Sequence, residues 1–368
     1  MQNDHNFFME LALAEARKGL GRTSPNPAVG AVIVNNGIVV GRGFHKKAGT
    51  PHAEVNAIED ARGQTNNATL YVTLEPCNHS GRTPPCTEAI LRSGIARVVI
   101  GMMDPNPHVA GRGGEYLRAK GIAVECGVLE RQCRELNYPF IKHSLTGLPW
   151  VTMKAGVSLD GKITLHPRQA APLTGPESKS YVHRLRNRVD ALLIGVDTAI
   201  IDDPSLTTRL ENGEETRDPL RIVLDSSLRL PVDAHMLNQQ STAETWICCC
   251  EDASSDSEER LVARGAKVYR LPKNEAGRVD LSSVLSLLGR KSITSLLVEG
   301  GAGVHGAFCR ENFVDEVLLF YAPFIIGDHG TPLVRGYCLD SRNDAPRLHN
   351  ISLQLLGNDM LFKAIVKR

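Results

Sequence analysis

One histidine and two cysteines, each at the edge of a different local pattern, most constrain how this chain can fold. His52-Ala53-Glu54 begins a stretch of helical spacing that runs to Arg62. Pro76-Cys77 follows the β-type run Leu70–Leu74, and Cys86 opens a short helical segment, Cys86–Ser93, after Thr83-Pro84-Pro85. A disulfide between Cys77 and Cys86 is one use for such a pair. The chain holds nine cysteines, an odd count that cannot pair fully, and a reducing compartment favours thiols or metal ligands. The second use is therefore the stronger. One imidazole and two thiolates leave the fourth position of a tetrahedral zinc open, as in a catalytic site. To build it, the fold must bring one strand end and two helix starts to a single point.

Glu54 tells what that point is for. Residues two apart on an ideal helix point ~200° apart. His52 and Glu54 reach one centre only if His52 lies in the first turn or just before it, and Gly49-Thr50-Pro51 fits such a boundary. An H-x-E followed by P-C is the template of the zinc deaminases, in which the ion makes water acidic and the glutamate, outside the metal shell, carries protons. Here the spacing is Cys-x8-Cys instead of Cys-x2-Cys, so residues 78–85 form a loop beside the metal, carrying His79 and Arg82. His79 as a fourth ligand would make a closed structural site, for which Glu54 has no use.

Strands and helices alternate around these segments. Phe7–Arg17 reads as a helix, and Ala28–Val34 and Ile38–Gly41 as a hairpin about Asn35-Asn36-Gly37. Arg97–Met102 and Ile122–Cys126 read as strands, Gly113–Lys120 as a helix and Glu130–His143 as one longer helix. This is α/β layering. The segment 145–149 reads as a linker, after which the pattern restarts. Strands are expected at Trp150–Ala155, Ala191–Gly195, Arg221–Asp225, Thr245–Cys250, Val268–Leu271, Ser295–Val298 and Glu316–Ala322. Helices are expected at Pro176–Arg188 and Gly303–Arg310. Cys248, Cys249 and Cys250 read as buried strand residues, and Glu251–Glu259 as disorder-prone. A length of 368 residues exceeds one ordinary core. The division is two α/β domains, 1–146 and 148–368.

With 42 basic against 41 acidic residues the net charge is +1, which leaves no electrostatic footprint for duplex nucleic acid. No apolar run approaches the ~18 residues that span a bilayer, and the N-terminal stretch lacks a basic n-region. The expectation is a cytoplasmic enzyme of small molecules, without membrane or nucleic acid, with homo-oligomerisation left open.

In the second half, Ser295–Phe308 reads as strand, glycine turn and helix start. Gly301, Gly303 and Gly306 satisfy G-x-G-x-x-G, a turn that lets backbone N–H groups approach a phosphate. Too little chain follows for a full doubly wound dinucleotide domain. A phosphate-cradling turn in another α/β fold fits the length, as does a turn that uses glycine only for packing.

The runs at 24–34, 41–58, 73–86 and 103–113 resemble the deaminase half of the bifunctional RibD family of riboflavin biosynthesis proteins; TLEPCNHSGRTPPC (73–86) is the most specific of them. The runs at 154–163, 195–209, 221–227, 298–306 and 314–327 resemble that family's reductase half. The resemblance implies a cytidine-deaminase-like α/β/α domain followed by a dihydrofolate-reductase-like α/β domain using NADPH. It implies ring deamination of 2,5-diamino-6-(5-phosphoribosylamino)pyrimidin-4-one, then reduction of the sugar to a ribityl chain.

By position, Asn26, His45, His79 and Arg82 would face the first substrate. The cofactor would touch Gly156, Thr198, Asp202, Ser226 and the turn Gly301, Ala302, Gly303, Val304, His305, Gly306 and Ala307. The second substrate would touch Arg186, Leu206, Arg209 and Glu299, the two arginines suiting its phosphate. Taken singly, Asn26 and the Asp202-Asp203-Pro204 run also fit turn chemistry, and the arginines also fit a solvated surface. One departure stands out: Ala170 and Pro172 occupy the family's serine and tryptophan positions. The alternatives are a deaminase whose second domain binds nucleotide without reducing, a nucleic-acid deaminase with a binding module, and a non-catalytic zinc-stabilised protein.

Overall fold

The computed structural model describes residues 2–78, 85–106, 112–169, 172–210 and 214–367, and it separates into two compact units, Met1–Gly147 and Leu148–Arg368. The first unit runs α1 (Gln2–Arg17), β1 (Gly30–Asn35), β2 (Ile38–Phe44), α2 (Ala53–Asp60), β3 (Thr69–Leu74), α3 (Cys86–Arg92), β4 (Arg97–Met102), α4 (Arg112–Ala119), β5 (Ala123–Cys126), α5 (Glu130–Leu136) and α6 (Tyr138–Thr146). Its five strands lie in the order β2-β1-β3-β4-β5. The hairpin β1–β2 and the β1–β3 pair are antiparallel, and β3, β4 and β5 are parallel.

Glycines set how close the helices lie to this sheet. A Cβ on Gly30 would collide with the backbone of Ala12 in α1, and Cβ atoms on Gly41 and Gly43 would collide with the backbone of α2 at Ala57 and Ala53. Gly43 pairs with Ala31, the neighbour of Gly30 in β1, so these contacts fall on opposite faces of the sheet. The unit is thus three layers, with α1 on one side and α2 on the other. Ala53, Ala57 and Ala61 form the small-residue stripe of α2 that meets the glycines, and all are fully buried. That close packing fixes the N-terminus of α2, where His52 and Glu54 lie.

The second unit runs β6 (Trp150–Ser158), β7 (Lys162–Thr164), α7 (Pro176–Arg186), β8 (Ala191–Gly195), α8 (Val196–Asp202), β9 (Leu220–Leu224), β10 (Thr245–Cys250), α9 (Ser255–Val262), β11 (Lys267–Leu271), α10 (Leu281–Arg290), β12 (Ser295–Val298), α11 (Ala302–Arg310), β13 (Glu316–Ala322), β14 (Thr331–Pro332), β15 (Arg347–Leu356) and β16 (Asp359–Lys367). Nine strands form one sheet in the order β11-β10-β9-β8-β12-β6-β13-β16-β15. The pairs from β11 through β13 are parallel, and β16 and β15 close the sheet antiparallel. Such a parallel sheet is buried on both faces. Accordingly, Ala191 and Leu193 join one core with Trp246, Cys248 and Cys250, while Leu192 and Ile194 join the other with Ile247 and Cys249. The three consecutive cysteines are buried strand residues, as their apolar run implies.

Several elements differ from the sequence reading. The expected helix over Glu130–His143 is two helices, broken at Asn137. The side chain of Asn137 leaves the helical pattern to bind Ala28, accepting from its N–H at 2.9 Å and donating to its C=O at 3.0 Å. The segment expected to be disordered holds α9, capped by Ser254, whose Oγ accepts from Ser257 N. The hairpin of β15 and β16 was not anticipated.

Candidate active sites

In the first unit the three ligand candidates converge. Pro51 ends the preceding loop, and His52 is the N-cap of α2 with extended backbone, the position that lets it share a centre with Glu54 in the first turn. Cys77 follows β3, and Cys86 is the first residue of α3, after Pro85. His52 Nδ1 lies 3.1 Å from Cys86 Sγ and 3.6 Å from Cys77 Sγ, and Cys86 N–H donates to Cys77 Sγ at 3.4 Å. One atom from each residue falls within 4.8 Å of the others. One nitrogen and two soft sulfurs suit zinc, whose tetrahedral shell they fill to three.

The electrostatics follow from this crowding. Hydrogen bonding with the Cys86 thiol, helped by His52, holds the Cys77 thiol down at about 4, and the same bond together with burial pushes Cys86 up. Cys86 is thus held as the thiol, and a metal bound by both sulfurs would displace its proton. The His52 imidazole is raised, chiefly by its hydrogen bond to Cys77. Glu54 is 3% exposed. Burial pushes its carboxyl up to about 7, and the charge on Cys77 adds to the rise.

A cavity of about 590 Å³ opens onto this group, lined among others by Asn26, His45, Glu54, Asp104 and Asn106. His45 Nδ1 lies 3.2 Å from the Pro51 carbonyl and its Nε2 lies 3.1 Å from Asn26 Nδ2. A carbonyl only accepts, so Nδ1 carries the proton and Nε2 accepts from the Asn26 amide. Burial lowers the His45 pKa, in keeping with this neutral ring. The structure thus brings Asn26 and His45 to the metal pocket. His79 and Arg82 lie outside the described residues, as does Ala170. Glu75, which the sequence reading passed over, is 4% exposed and lines the same cavity. Its carboxylate accepts from Gly114 N at 2.9 Å and Asp104 N at 3.2 Å, tying β3 to the segment after β4.

In the second unit the candidates gather at the C-terminal ends of the parallel strands, where β12 lies between β8 and β6. This is the edge at which open α/β sheets bind ligands. Gly301 is the N-cap of α11 with φ +65°, a backbone state that favours glycine. Ala302, Gly303 and Val304 follow it, with first-turn N–H groups that have no helical partner. The remainder of the expected cradle packs instead. His305 N–H already donates to Gly301 O, its ring is buried with Nδ1 3.2 Å from Leu333 O, and burial lowers its pKa to about 4. A Cβ on Gly306 would strike the Arg335 carbonyl, and Ala307 packs against the core.

Thr198 in α8 approaches Gly301, its Oγ1 3.0 Å from where a Cβ would stand. Gly156 in β6 approaches Thr174 in the same way, at 3.1 Å. Ser226 Oγ accepts from Val279 N at 3.2 Å. Asp202 ends α8, exposed, and the following Asp203 adopts a left-handed turn.

Beside the turn, Glu299 accepts two parallel hydrogen bonds from Arg186, Nε to Oε1 at 2.9 Å and Nη2 to Oε2 at 2.7 Å. Arg186 Nη1 donates to Thr207 O at 3.2 Å. The guanidinium edge expected to grip a phosphate is therefore engaged by Glu299, and Arg209 is the exposed arginine of the pair. Leu206 is buried in the apolar cluster with Ile194 and Ala199, so its backbone is what it offers. Burial opposes the charge on Glu299, but Arg186 and Lys154 outweigh it and hold the carboxyl at about 2. Lys154, whose Nζ is 3.8 Å from Glu299 Oε2, was missed by the sequence reading; a lysine inside the apolar strand Trp150–Ser158 was the available signal. His183 completes the cluster, its Nδ1 3.2 Å from Arg209 N; burial and the two arginines lower it to about 4.

Comparison with known proteins extends the picture. The family model described as the cytidine and deoxycytidylate deaminase zinc-binding region matches residues 2–102, and that of the RibD C-terminal domain matches 149–362. The riboflavin biosynthesis protein RibD of Bacillus amyloliquefaciens is 41% identical over 98% of this chain and 96% of its own length. The Aquifex aeolicus protein of that name is 43% identical over 87% of each. Among solved structures, Acinetobacter baumannii RibD superposes with a TM-score of 0.89 at 33% identity over the whole of both chains. A Thermotoga maritima diaminohydroxyphosphoribosylaminopyrimidine deaminase/5-amino-6-(5-phosphoribosylamino)uracil reductase superposes with a TM-score of 0.86 at 35% identity, covering 100% of this chain and 99% of its own.

Proposed function

This chain belongs to the RibD family of riboflavin biosynthesis enzymes, which couple a zinc-dependent deaminase to an NADPH-dependent reductase, and from that premise we propose how its own residues divide the work. The substrates are those in the name of the Thermotoga maritima relative. The diamino phosphoribosylaminopyrimidine loses its ring amino group in the domain 1–146. The resulting phosphoribosylaminouracil has its sugar reduced to the ribityl chain in the domain 148–368.

His52, Cys77 and Cys86 hold the zinc; their convergence beside buried Glu54 is the observation that carries this reading. Zinc so held supplies a Lewis acid that makes water acidic near neutral pH. Glu54, whose burial favours the neutral acid, would take a proton and pass it to the amino nitrogen that leaves as ammonia. His45 keeps its protonated Nδ1 on Pro51 and uses Nε2 to fix Asn26, which leaves the Asn26 carboxamide oxygen to orient the pyrimidine. His79 and Arg82 complete the substrate contacts, with Arg82 toward phosphate.

In the reductase, the first turn of α11 and Gly156, Thr198, Asp202 and Ser226 seat NADPH, which supplies the hydride. The sugar chain lies over Glu299, Arg186 and Leu206, and Arg209 grips its phosphate. Glu299 keeps Arg186 and Lys154 in place as fixed charges. We place the enzyme in the cytoplasm; no described helix is long and apolar enough to cross a membrane. An apolar row on edge strand β15, Ile351, Leu353 and Leu355, stands exposed and supports a homo-oligomer.

The test is Glu54→Gln in the full chain. It should keep one zinc per chain and lose ammonia release by roughly 10²-fold or more. The same protein should still oxidise NADPH with the deaminated uracil compound and fail with the diamino precursor. Full ammonia release would sink the proton-carrying role, and no NADPH oxidation with the uracil compound, in the parent chain, would sink the reductase assignment.

A further inference from the structure

We propose that Arg278 selects NADPH over NADH by pairing with the phosphate on the adenosine ribose. The inference rests on the reading above that the α11 turn seats the cofactor, and it follows from the order of the strands. In the parallel run β9-β8-β12-β6 the C-terminal ends stand side by side. The Lys154–Glu299–Arg186 cluster belongs to the β6–β12 end of that row, since Lys154 and Gly156 are on β6 and Glu299 follows β12 directly. A hydride donor has to reach its acceptor there, which puts the nicotinamide at that end. The bridging diphosphate belongs at the start of α11, after β12. The adenosine half is then directed away from β6, toward the end of β9, where Ser226 lies.

Arg278 stands at that place. Its Nη1 is 3.8 Å from where a Cβ on Gly303 would sit, and among the described residues outside α11 no other atom comes within 4 Å of that position. The next residue, Val279, donates its N–H to Ser226 Oγ. Asn274 pins the same turn, accepting from Arg278 N at 3.0 Å and donating its own N–H to Arg278 O at 2.7 Å. The backbone is thus fixed while the side chain is exposed.

Several cations of the same unit are matched with acids: Lys273 with Asp252, Arg270 with Glu258, Arg229 with Asp197 and Arg310 with Glu311. Among the described residues no carboxylate lies within ion-pairing distance of Arg278. An anchored arginine with no acid of its own, beside a first-turn anion seat, suits a ligand phosphate that binds a guanidinium in a fork. NADH offers only an uncharged hydroxyl there, so the selectivity arises as extra affinity for the phosphorylated dinucleotide.

The test is calorimetric titration of the full chain with NADP+ and with NAD+. Arg278→Leu should weaken NADP+ by roughly 10- to 100-fold, the worth of a charged hydrogen-bonded contact, leave NAD+ unchanged, and flatten the salt dependence of NADP+ binding. Equal weakening of both, or of neither, overturns the proposal. Gly303→Glu, which meets open space apart from Arg278, places a carboxylate in the first turn of α11 and should weaken both dinucleotides. If Gly303→Glu changes neither, the seat lies elsewhere and both assignments fall. If it weakens both while Arg278→Leu changes neither, only the assignment of Arg278 falls.

Discussion

Replacing Glu299 by glutamine removes the negative charge that faces Arg186 and Lys154. The Glu299 side chain is 8% exposed and accepts two guanidinium N–H groups. A carboxyl held at about 2, against an ordinary 4.5, represents roughly 3 kcal/mol at ~1.4 kcal/mol per unit. Removing one partner of a buried pair costs about 3–5 kcal/mol, because the other charge is left uncompensated. The two routes agree near ~3 kcal/mol. The readout is specific to one unit: the two tryptophans, Trp150 and Trp246, both lie in Leu148–Arg368, so fluorescence follows that unit alone. With a urea slope of about 2 kcal/mol per molar, Glu299→Gln should lower the midpoint by about 1.5 M at pH 7. The pH dependence has a definite sign. A depressed carboxyl stabilises the fold above its unfolded pKa, near 4.5, and that contribution drains away as pH falls toward about 2. The gap between parent and variant should therefore close across that window. A midpoint shift below about 0.3 M at pH 7, or a gap that persists unchanged to the acid end, would refute the reasoning.

Two further outcomes are expected. Cys77→Ser should strip zinc in elemental analysis and abolish ammonia release while NADPH oxidation continues, since the ligands and the reductase cluster lie in different units; retained zinc would contradict the three-ligand site. Gly43→Val should lower the thermal midpoint, followed by circular dichroism, by an overpacking cost of about 1–3 kcal/mol, and reduce deamination with it. A Cβ there meets the Ala53 carbonyl and the Ala57 N–H and pushes on the helix that carries Glu54; an unchanged midpoint would show that α2 does not depend on that contact.

The deaminase centre was legible because its information is local. Pro51 fixes where α2 begins and Pro85 precedes the start of α3, so His52 and Cys86 stand at helix starts, while Cys77 follows strand β3. The break at Asn137 was not read, because the amide's partner, Ala28, is 109 residues away. Pro139 in the first turn of α6 did carry a signal for a new helix. The β15–β16 hairpin was missed although Ile351, Leu353 and Leu355 alternate with Ser352 and Gln354; that period-2 signal was available, but β15 is exposed along almost all its length and the row covers no core. Lys154 was passed over for a topological reason. Its partner follows β12, and only the pairing of Met153 with Val298 brings the two together. Arg186 was carried over from the family resemblance as a substrate contact suited to phosphate; its engagement by Glu299 is a tertiary fact that no spacing in the sequence encodes.

The two catalytic units solve opposite problems with the same side chain. Glu54 and Glu299 are both deeply buried, and burial alone drives each carboxyl toward its neutral form. Beside Glu54 the neighbouring charge is a thiolate, so the carboxyl rises to about 7 and can both release and take a proton near neutral pH. Zinc with two thiolates is formally neutral, so loading the metal would remove the thiolate's negative charge without leaving an uncompensated cation, and burial, the larger cause of the rise, would still favour the neutral carboxyl. Beside Glu299 the neighbours are a guanidinium and an ammonium; the carboxyl falls to about 2 and stays charged throughout the working range. The first glutamate is suited to moving protons, the second to holding cations still. A reductase whose hydride comes from a cofactor needs the second kind, since its protein groups contribute position and field. Exchange of the roles would require exchange of the neighbours: a cation beside Glu54 would fix it as an anion and end its use as a carrier, whatever the geometry of the metal site.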